Sequence, residues 1–444
     1  MEELFKDLVI IGAGPGGYEL ASMASNAGLD TILFEKSELG GTCLNCGCIP
    51  TKSYFQYAKV REQAAKLYGK ELDFDFCDLF NSKNETVEVL KQGIKASLSK
   101  VSIINEEAKL AKDGDKTVVI SENYLVETKN IVIATGSLDA TIKAKGIKYA
   151  INSKELLALN HLPTSISIIG GGVIGMEVAS IYNALGVKVN VFEYAPMILP
   201  RFDKEVSRRL TNILKVKGIN IYNNAGVSEI KKIKGGGYKT IALVKDKLIE
   251  EETEIVLCAT GRMPNIANLG LKEAGIRFDK KGIKVNKNLQ TKNACVYAIG
   301  DCVGGIMLAH KASFDAKVVL NQILGNKYKI NYDLIPACCF TLPEVSSIGL
   351  TEDEAKEKYG EVKVVKELYR ANGKAQAIKE IDGFVKIIIR NELIIGASII
   401  GEEANLLIHE VAALMNAKVK VSEAKKYIHA HPTLSEIIQS CLQK

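Results

Sequence analysis

The sequence predicts an α/β fold, with two Rossmann-like dinucleotide-binding domains followed by a C-terminal α+β domain. Three observations carry this expectation. The pattern Gly-x-Gly-x-x-Gly occurs twice, each time directly after a short apolar run. In both copies an acidic residue closes the next apolar run at the same distance, with Gly12 to Glu35 and Gly170 to Glu193 each 23 positions apart. From about Asn331 the Gly-rich patterns stop, and strand-like runs alternate with amphipathic stretches. A repeated supersecondary unit implies a repeated task, here one dinucleotide per unit.

Composition sets the limits. A chain of 444 residues is expected to hold about three domains. We place boundaries at 1–145, 146–264, 265–330 and 331–444, the third segment returning to the first domain. Hydrophobic content of 47% is ample for buried cores, and no apolar run is long enough to cross a bilayer. The net charge of +6 is mild, and Lys and Arg are interspersed with Asp and Glu. That excludes the basic stripe that nucleic acid requires. The first strand-like run begins close to Met1, which leaves no room for a targeting segment. Ten cysteines without such a segment argue against a secreted disulfide framework. A cytoplasmic location is expected, and there a functional disulfide is catalytic rather than structural.

The elements follow in order. Asp7 to Ile11 reads as a buried parallel strand. Gly12, Gly14 and Gly17 then open a helix that runs from Tyr18 to about Ala27. Thr31 to Phe34 makes the second strand, and Glu35 is placed to take a ribose hydroxyl. The glycines let the backbone approach a pyrophosphate at a helix N-terminus. Residues 53–105 read as helix with polar interruptions. Lys129 to Gly136 reads as a strand ending in the tight turn Ala134-Thr135-Gly136. Ser165 to Ile169 starts the second unit, with Gly170, Gly172 and Gly175 before its helix and Lys188 to Phe192 before Glu193. The repeat extends further, because Ala259-Thr260-Gly261 echoes the earlier Ala-Thr-Gly.

Between the first unit and the long helical stretch lies Gly40-Gly41-Thr42-Cys43-Leu44-Asn45-Cys46-Gly47-Cys48-Ile49-Pro50-Thr51-Lys52. Three thiols within six residues admit several readings. They could be small buried hydrophobes. A metal cluster lacks a nearby His or a fourth Cys. A Cys43–Cys46 pair would make a Cys-x-x-Cys redox motif, and Cys43 with Cys48 a wider one. Sequence does not fix the connectivity.

This segment resembles the signature of the flavin-dependent pyridine nucleotide–disulfide oxidoreductases. Within that family Leu44 and the Gly-Cys-Ile-Pro run are most similar to the dihydrolipoamide dehydrogenases. The resemblance implies that Cys43 and Cys48 form the redox disulfide. Cys43 exchanges with substrate, and Cys48 faces the flavin. Cys46 stands where the family usually has an aliphatic residue. Lys52 corresponds to a lysine near the flavin's reactive nitrogen, and Glu177 to the glutamate that pairs with it. Thr135 and Gly136 match the return crossing under the flavin, although the segment after them lacks the family's usual Pro. Gly261 to Asn265 resembles the hinge back to the flavin domain. Asp301 would accept a hydrogen bond from the ribityl chain, with backbone amides near Leu308 and Ala309 facing the ring. No proton-transfer role is assigned to His310.

The disulfide hangs off the first unit, so FAD belongs there and the nicotinamide cofactor in the second. Glu193 favours two free ribose hydroxyls and repels a 2′-phosphate, and Tyr194 and Ala195 offer no arginine in its place. The cofactor is therefore expected to be NAD.

The last segment resembles the family's dimerisation domain, beginning near Phe340. The vicinal Cys338 and Cys339 read as strand core. Near the C-terminus, His431 stands immediately before Pro432, with Glu436 five residues on. By resemblance His431 is the catalytic base and Glu436 orients it, while His429 is a flanking residue. Thiol exchange runs through thiolate, so a dithiol substrate requires a base near neutral pH. The family's base serves the other subunit's disulfide, which implies an obligate homodimer. Lipoyl-bearing carrier proteins of 2-oxo acid dehydrogenase or glycine cleavage systems are the implied partners. The rivals are reduction of another low-molecular-weight disulfide such as glutathione, and a nucleotide-binding scaffold without turnover. Glu193 counts against the first, and the intact Cys43, Cys48, His431 and Glu436 against the second.

Overall fold

A computed structural model describes residues 1–444. The chain folds into two compact units, each built from three separated segments. Met1–Pro50, Phe80–Ala140 and Gly261–Ile330 form the first; Thr51–Leu79, Thr141–Thr260 and Asn331–Lys444 form the second.

The first unit is organised around a seven-stranded sheet. Ser102–Ile104, Thr31–Phe34, Glu2–Ile11, Tyr124–Ile133 and Val296–Ala298 run parallel. Lys116–Ile120 and Lys109–Asp113 add an antiparallel edge. Tyr124–Ile133 pairs along its length with Glu2–Ile11, and on its other side changes partner part-way. Lys116–Ile120 takes its first half and Val296–Ala298 its last. The central strand is buried on both faces, Leu8 and Ile10 in one apolar cluster and Val9 and Ile11 in another. That is why Leu8-Val-Ile-Ile11 reads as a continuous apolar run instead of an alternating one.

The second unit contains a four-stranded parallel sheet in the order Asn220–Asn223, Lys188–Glu193, Ser165–Ile169, Ile255–Cys258. It also holds an antiparallel meander of Ala225–Lys232, Tyr238–Val244 and Lys247–Thr253. Its C-terminal part is a five-stranded antiparallel sheet from Ala337–Cys339 to Lys363–Leu368, with the helices Ala404–Asn416 and Glu436–Gln443 packed on it. One apolar cluster joins Tyr54, Phe55 and Ala58 to Ile168, Met176 and Leu210 and to Val345 and Phe384. Charges are shared in the same way. Lys386 is 3% exposed and meets Asp203 at 2.8 Å, Glu205 at 3.1 Å and Glu352 at 3.0 Å. A lysine that deep is tolerated only with its charge matched and its donors filled.

Three elements depart from the sequence expectation. The first strand begins at Glu2 rather than Asp7, and the later one runs Tyr124–Ile133 rather than Lys129–Gly136. In both, the added half is less buried and lacks the unbroken apolar run. Residues 53–105 contain the end of Cys48–Tyr68, the helix Phe76–Ser97 and then the short strand Ser102–Ile104. Three residues are too few to show a period. No helix is long and apolar enough to cross a membrane.

Candidate active site

The two glycine loops repeat in three dimensions. A Cβ on Gly12 would lie 2.5 Å from the Ala134 carbonyl oxygen, and one on Gly170 2.4 Å from that of Ala259. The two Ala-Thr-Gly runs of the sequence are thus the floors under equivalent first glycines. A Cβ on Gly17 would meet the Gly12 carbonyl oxygen at 1.9 Å, and one on Gly175 that of Gly170 at 1.9 Å. These third glycines let helix and strand touch. The middle glycines differ, since a Cβ on Gly14 or Gly172 has nothing within 4 Å. Each begins a helix, Pro15–Asn26 or Val173–Ala184. Open space at a helix N-terminus beside bare backbone is what a pyrophosphate requires. The loops therefore fit two dinucleotides.

Both acids close their own loops. Glu35 accepts from the Ala13 amide at 2.7 Å and the Ser37 amide at 2.8 Å. Glu193 accepts from Gly171 at 2.5 Å and Ala195 at 2.6 Å. A carboxylate has about four acceptor positions, so each keeps capacity for a ribose hydroxyl.

Separate roles for the glycines give a testable contrast. Gly17→Ala is expected to cost roughly 1–3 kcal/mol or more through overpacking, read as a lower Tm. Gly14 has an ordinary φ of −68°, so Gly14→Ala should change stability by no more than about 0.5 kcal/mol. It should nevertheless release flavin on gel filtration. Retention of flavin by Gly14→Ala would place the pyrophosphate elsewhere.

The thiol segment is built onto the first loop. The Gly40 amide donates to the Ala13 carbonyl at 2.9 Å. Gly40 and Gly41 have φ of 92° and 58°, a region costly for other residues. A Cβ on Gly41 would sit 2.8 Å from the Gly14 Cα. The short helix Gly41–Cys46 carries Cys43 and Cys46, and Cys48 opens the helix Cys48–Tyr68. Gly47 makes the fold-back between them, because a Cβ there would lie 2.8 Å from the Thr42 carbonyl oxygen and 3.4 Å from the Cys43 Cα. Cys43 and Cys48 form a close pair. Asn45 braces the turn by donating to the Leu39 and Gly41 carbonyls, both at 2.9 Å. Sequence reasoning quoted Asn45 without giving it this task. No group of three or more His, Cys, Asp or Glu side chains is disposed to hold a metal ion.

The later motifs of the first unit converge on one another. Thr135 Oγ1 donates to the Asn265 carbonyl at 2.7 Å, and the Asn265 amide returns to the Gly136 carbonyl at 3.0 Å. The Gly261 carbonyl accepts from the Ala140 amide at 2.9 Å, so Gly261 stands where the chain re-enters this unit. Asp301 accepts from Ser137 Oγ at 2.6 Å, and Arg262 Nε donates to the same hydroxyl at 2.7 Å. Leu308 caps the helix Ala309–Ile323, whose first turn presents amide donors. His310, next in that turn, is exposed. The fully buried Asp315 takes the Gly300 amide at 3.0 Å and Lys311 Nζ at 2.7 Å. Sequence reasoning missed this pair. Its only signal is a Lys and an Asp four apart on one helix.

In the second unit, Lys52 and Glu177 meet across 125 positions, with Nζ 3.0 and 2.9 Å from the two carboxylate oxygens. Glu177 is 7% exposed on its side chain and also accepts from the Phe340 amide at 3.0 Å. The Phe340 ring lies under the ammonium, 4.2 Å from centroid to Nζ. Cys338 and Cys339 lie in the strand Ala337–Cys339. Burial, followed by the Glu344 charge, pushes the Cys338 thiol up to about 11, and burial drives Cys339 well above the usual thiol range. Neither forms thiolate readily near neutral pH.

His431 precedes the helix Glu436–Gln443. Its Nδ1 is 2.9 Å from Glu436 Oε1, and Glu436 Oε2 accepts from the Thr433 amide at 2.8 Å. The Thr433 amide, then His431, hold the Glu436 carboxyl below the usual glutamate range. The carboxylate thus ionises at lower pH than an ordinary glutamate. The His431 side chain is 78% exposed. With Nδ1 engaged, Nε2 is the nitrogen left for an incoming group.

Two nucleotide loops, a thiol pair built on one of them and an exposed carboxylate-held imidazole define a class: nucleotide-linked thiol–disulfide oxidoreductases. The chain belongs to the pyridine nucleotide-disulphide oxidoreductase family, whose model matches residues 6–316, and the family's dimerisation domain matches residues 335–441. It is 34% identical to a dihydrolipoyl dehydrogenase of Bacillus subtilis, covering 98% of this chain and 97% of that one. It is 35% identical to the dihydrolipoyl dehydrogenase of Staphylococcus aureus, covering 99% and 96%. Among solved structures it is similar to the HOCl-induced flavoprotein disulfide reductase RclA from Escherichia coli. That match has a TM-score of 0.89 at 28% identity and covers 98% of this chain and 99% of the other.

Proposed function

We propose that this chain is a flavin-dependent dihydrolipoyl dehydrogenase, oxidising a dihydrolipoyl group to lipoyl with reduction of NAD. The observation that carries the reading is the exposed His431 held by Glu436, in a chain aligned end to end with dihydrolipoyl dehydrogenases. Gly12, Gly14, Gly17 and Glu35, with Thr135, Gly136, Asp301, Leu308 and Ala309, hold FAD. Gly170, Gly172, Gly175, Glu177, Glu193 and Gly261 hold NAD, and Lys52, paired with Glu177, serves the flavin.

The thiol chemistry is balanced within the chain. His431 of the partner subunit takes a proton from one substrate thiol. The thiolate attacks Cys43, the Cys43–Cys48 bond breaks, and Cys48 leaves as thiolate. The second substrate thiol then displaces Cys43, so the substrate departs as its disulfide and the protein holds the dithiol. FAD held by Gly12, Gly14, Gly17 and Glu35 would supply the two-electron link from the Cys43–Cys48 dithiol to NAD⁺, so that the disulfide is regained. The sum converts a dithiol and NAD⁺ to a disulfide, NADH and a proton. The dimerisation domain supports a homodimer as the working form, lipoyl-bearing carrier proteins as partners suit the substrate, and the reading places the enzyme in the cytoplasm.

Steady-state assay of the flavin-loaded protein tests this. Rapid turnover is expected with NAD and dihydrolipoamide, and little with NADPH and oxidised glutathione. The opposite ranking would falsify the substrate assignment and favour a disulfide reductase.

A further inference from the structure

Two residues before His431, a second imidazole is held by a second carboxylate. His429 Nε2 lies 2.7 Å from Glu410 Oε1, and its Nδ1 lies 3.3 Å from the Tyr427 carbonyl oxygen. The two histidines differ in setting. The His429 side chain is 11% exposed against 78% for His431, and both of its ring nitrogens face acceptors. Glu410 sits on the helix Ala404–Asn416, whose other face is fixed in the core by Leu407, Ile408 and Val411.

The segment bearing His431 has little else to hold it. Between the helices Val421–Ala424 and Glu436–Gln443 there is no regular structure, and Ile428 is fully exposed. After His431, Thr433 ties the chain down through its amide to Glu436, through its carbonyl to Asn372 Nδ2 at 3.0 Å, and through its hydroxyl to the Ala430 carbonyl at 2.8 Å. Before it, the ties are His429 to Glu410, Gln439 Nε2 to the Tyr427 carbonyl at 3.1 Å and, further back, Gln443 Nε2 to the Lys425 carbonyl at 2.9 Å. Of these, only the first uses a charged acceptor and anchors the chain to the helix Ala404–Asn416. Fixing an irregular segment costs conformational entropy for each residue, and a charge-assisted hydrogen bond offsets it more effectively than a neutral one.

We propose that His429, clamped by Glu410, is a positioning residue that fixes the loop from its N-terminal side and so aims His431. The inference rests on His431 being the base of the proposed reaction. A small misplacement of a reacting group costs up to about a hundredfold in rate.

The test uses the flavin-loaded full chain. His429→Leu should lower kcat for dihydrolipoamide roughly ten- to a hundredfold with little change in KM. NADH oxidation by ferricyanide, which draws electrons from flavin without thiol exchange, should be unchanged. His429→Gln, which keeps a donor towards Glu410, should recover most of the loss. On a His431→Ala background His429→Leu should cost nothing further, since a residue acting only through another loses its effect when that one is gone. Unchanged dihydrolipoamide turnover in His429→Leu overturns the inference, as does an equal loss on both backgrounds or an equal loss with ferricyanide. If His429→Leu does not retain flavin, Glu410→Gln is put through the same comparisons under the same criteria. A wild-type protein inactive towards dihydrolipoamide overturns the function and this inference together. An active wild type with an indifferent His429→Leu overturns this inference alone.

Discussion

His431→Ala should slow NAD-linked oxidation of dihydrolipoamide by about 10²–10⁴-fold, the range that a positioned acid–base group contributes. In barrier terms that is roughly 3–5 kcal/mol. The geometry explains why the loss should fall on one half of the reaction. Glu436 takes Nδ1 of the ring at 2.9 Å and leaves Nε2 towards solvent. The imidazole is therefore held in one tautomer and one orientation to receive a thiol proton. Oxidation of NADH by ferricyanide needs no thiol proton and should continue at the wild-type rate. Glu436→Gln should lose less, because the ring keeps its proton-accepting nitrogen while losing the charged partner. Stopped-flow reduction of the flavin by dihydrolipoamide, beside reduction by NADH, separates the two halves. Equal slowing of both would remove His431 from the role of base.

Cys48→Ser should have a larger effect, abolishing dithiol turnover while leaving flavin bound. A serine at position 48 cannot form the disulfide that substrate thiolate attacks. The fold around it should tolerate the change, because Gly40, Gly41, Gly47 and Asn45 shape the segment and serine is close to cysteine in size. Cys48 is also the first residue of the helix Cys48–Tyr68, and a helix N-terminus favours thiolate. The two-electron-reduced wild-type protein should therefore show the long-wavelength absorbance of a thiolate lying against isoalloxazine, and Cys48→Ser should lack it. Persistence of that band in Cys48→Ser, or its loss in Cys46→Ser instead, would assign the flavin-facing thiol to Cys46.

Much of this was legible in the sequence, for local reasons. A glycine that must have no Cβ, a strand buried on both faces and an acid closing a loop all impose residue types within a few positions. The strand Thr31–Phe34 and the strand Ser165–Ile169 fall where their apolar runs place them. The half-exposed starts of Glu2–Ile11 and Tyr124–Ile133 and the three-residue edge strand carried no such mark. Nor did the meander from Ala225 to Thr253, whose two hairpins alternate burial only loosely. The His431–Glu436 contact was legible because its partners lie five residues apart. The His429–Glu410 contact was not, because its partners come from different elements 19 residues apart.

The sequence by itself determined the two nucleotide loops, the thiol segment grafted on the first and the imidazole–carboxylate pair near the C-terminus. In each, the residues that must cooperate are neighbours along the chain, so chemistry and spacing can be read together. The tertiary structure alone decided which distant segments share a core. It gathered residues 51–79 with 141–260 and 331–444, placed Glu177 on Lys52 and Phe340 beneath it, and sank Asp315 beside Gly300. Those pairings come from the packing of buried faces, and a side chain's position along the chain does not state which face it will meet.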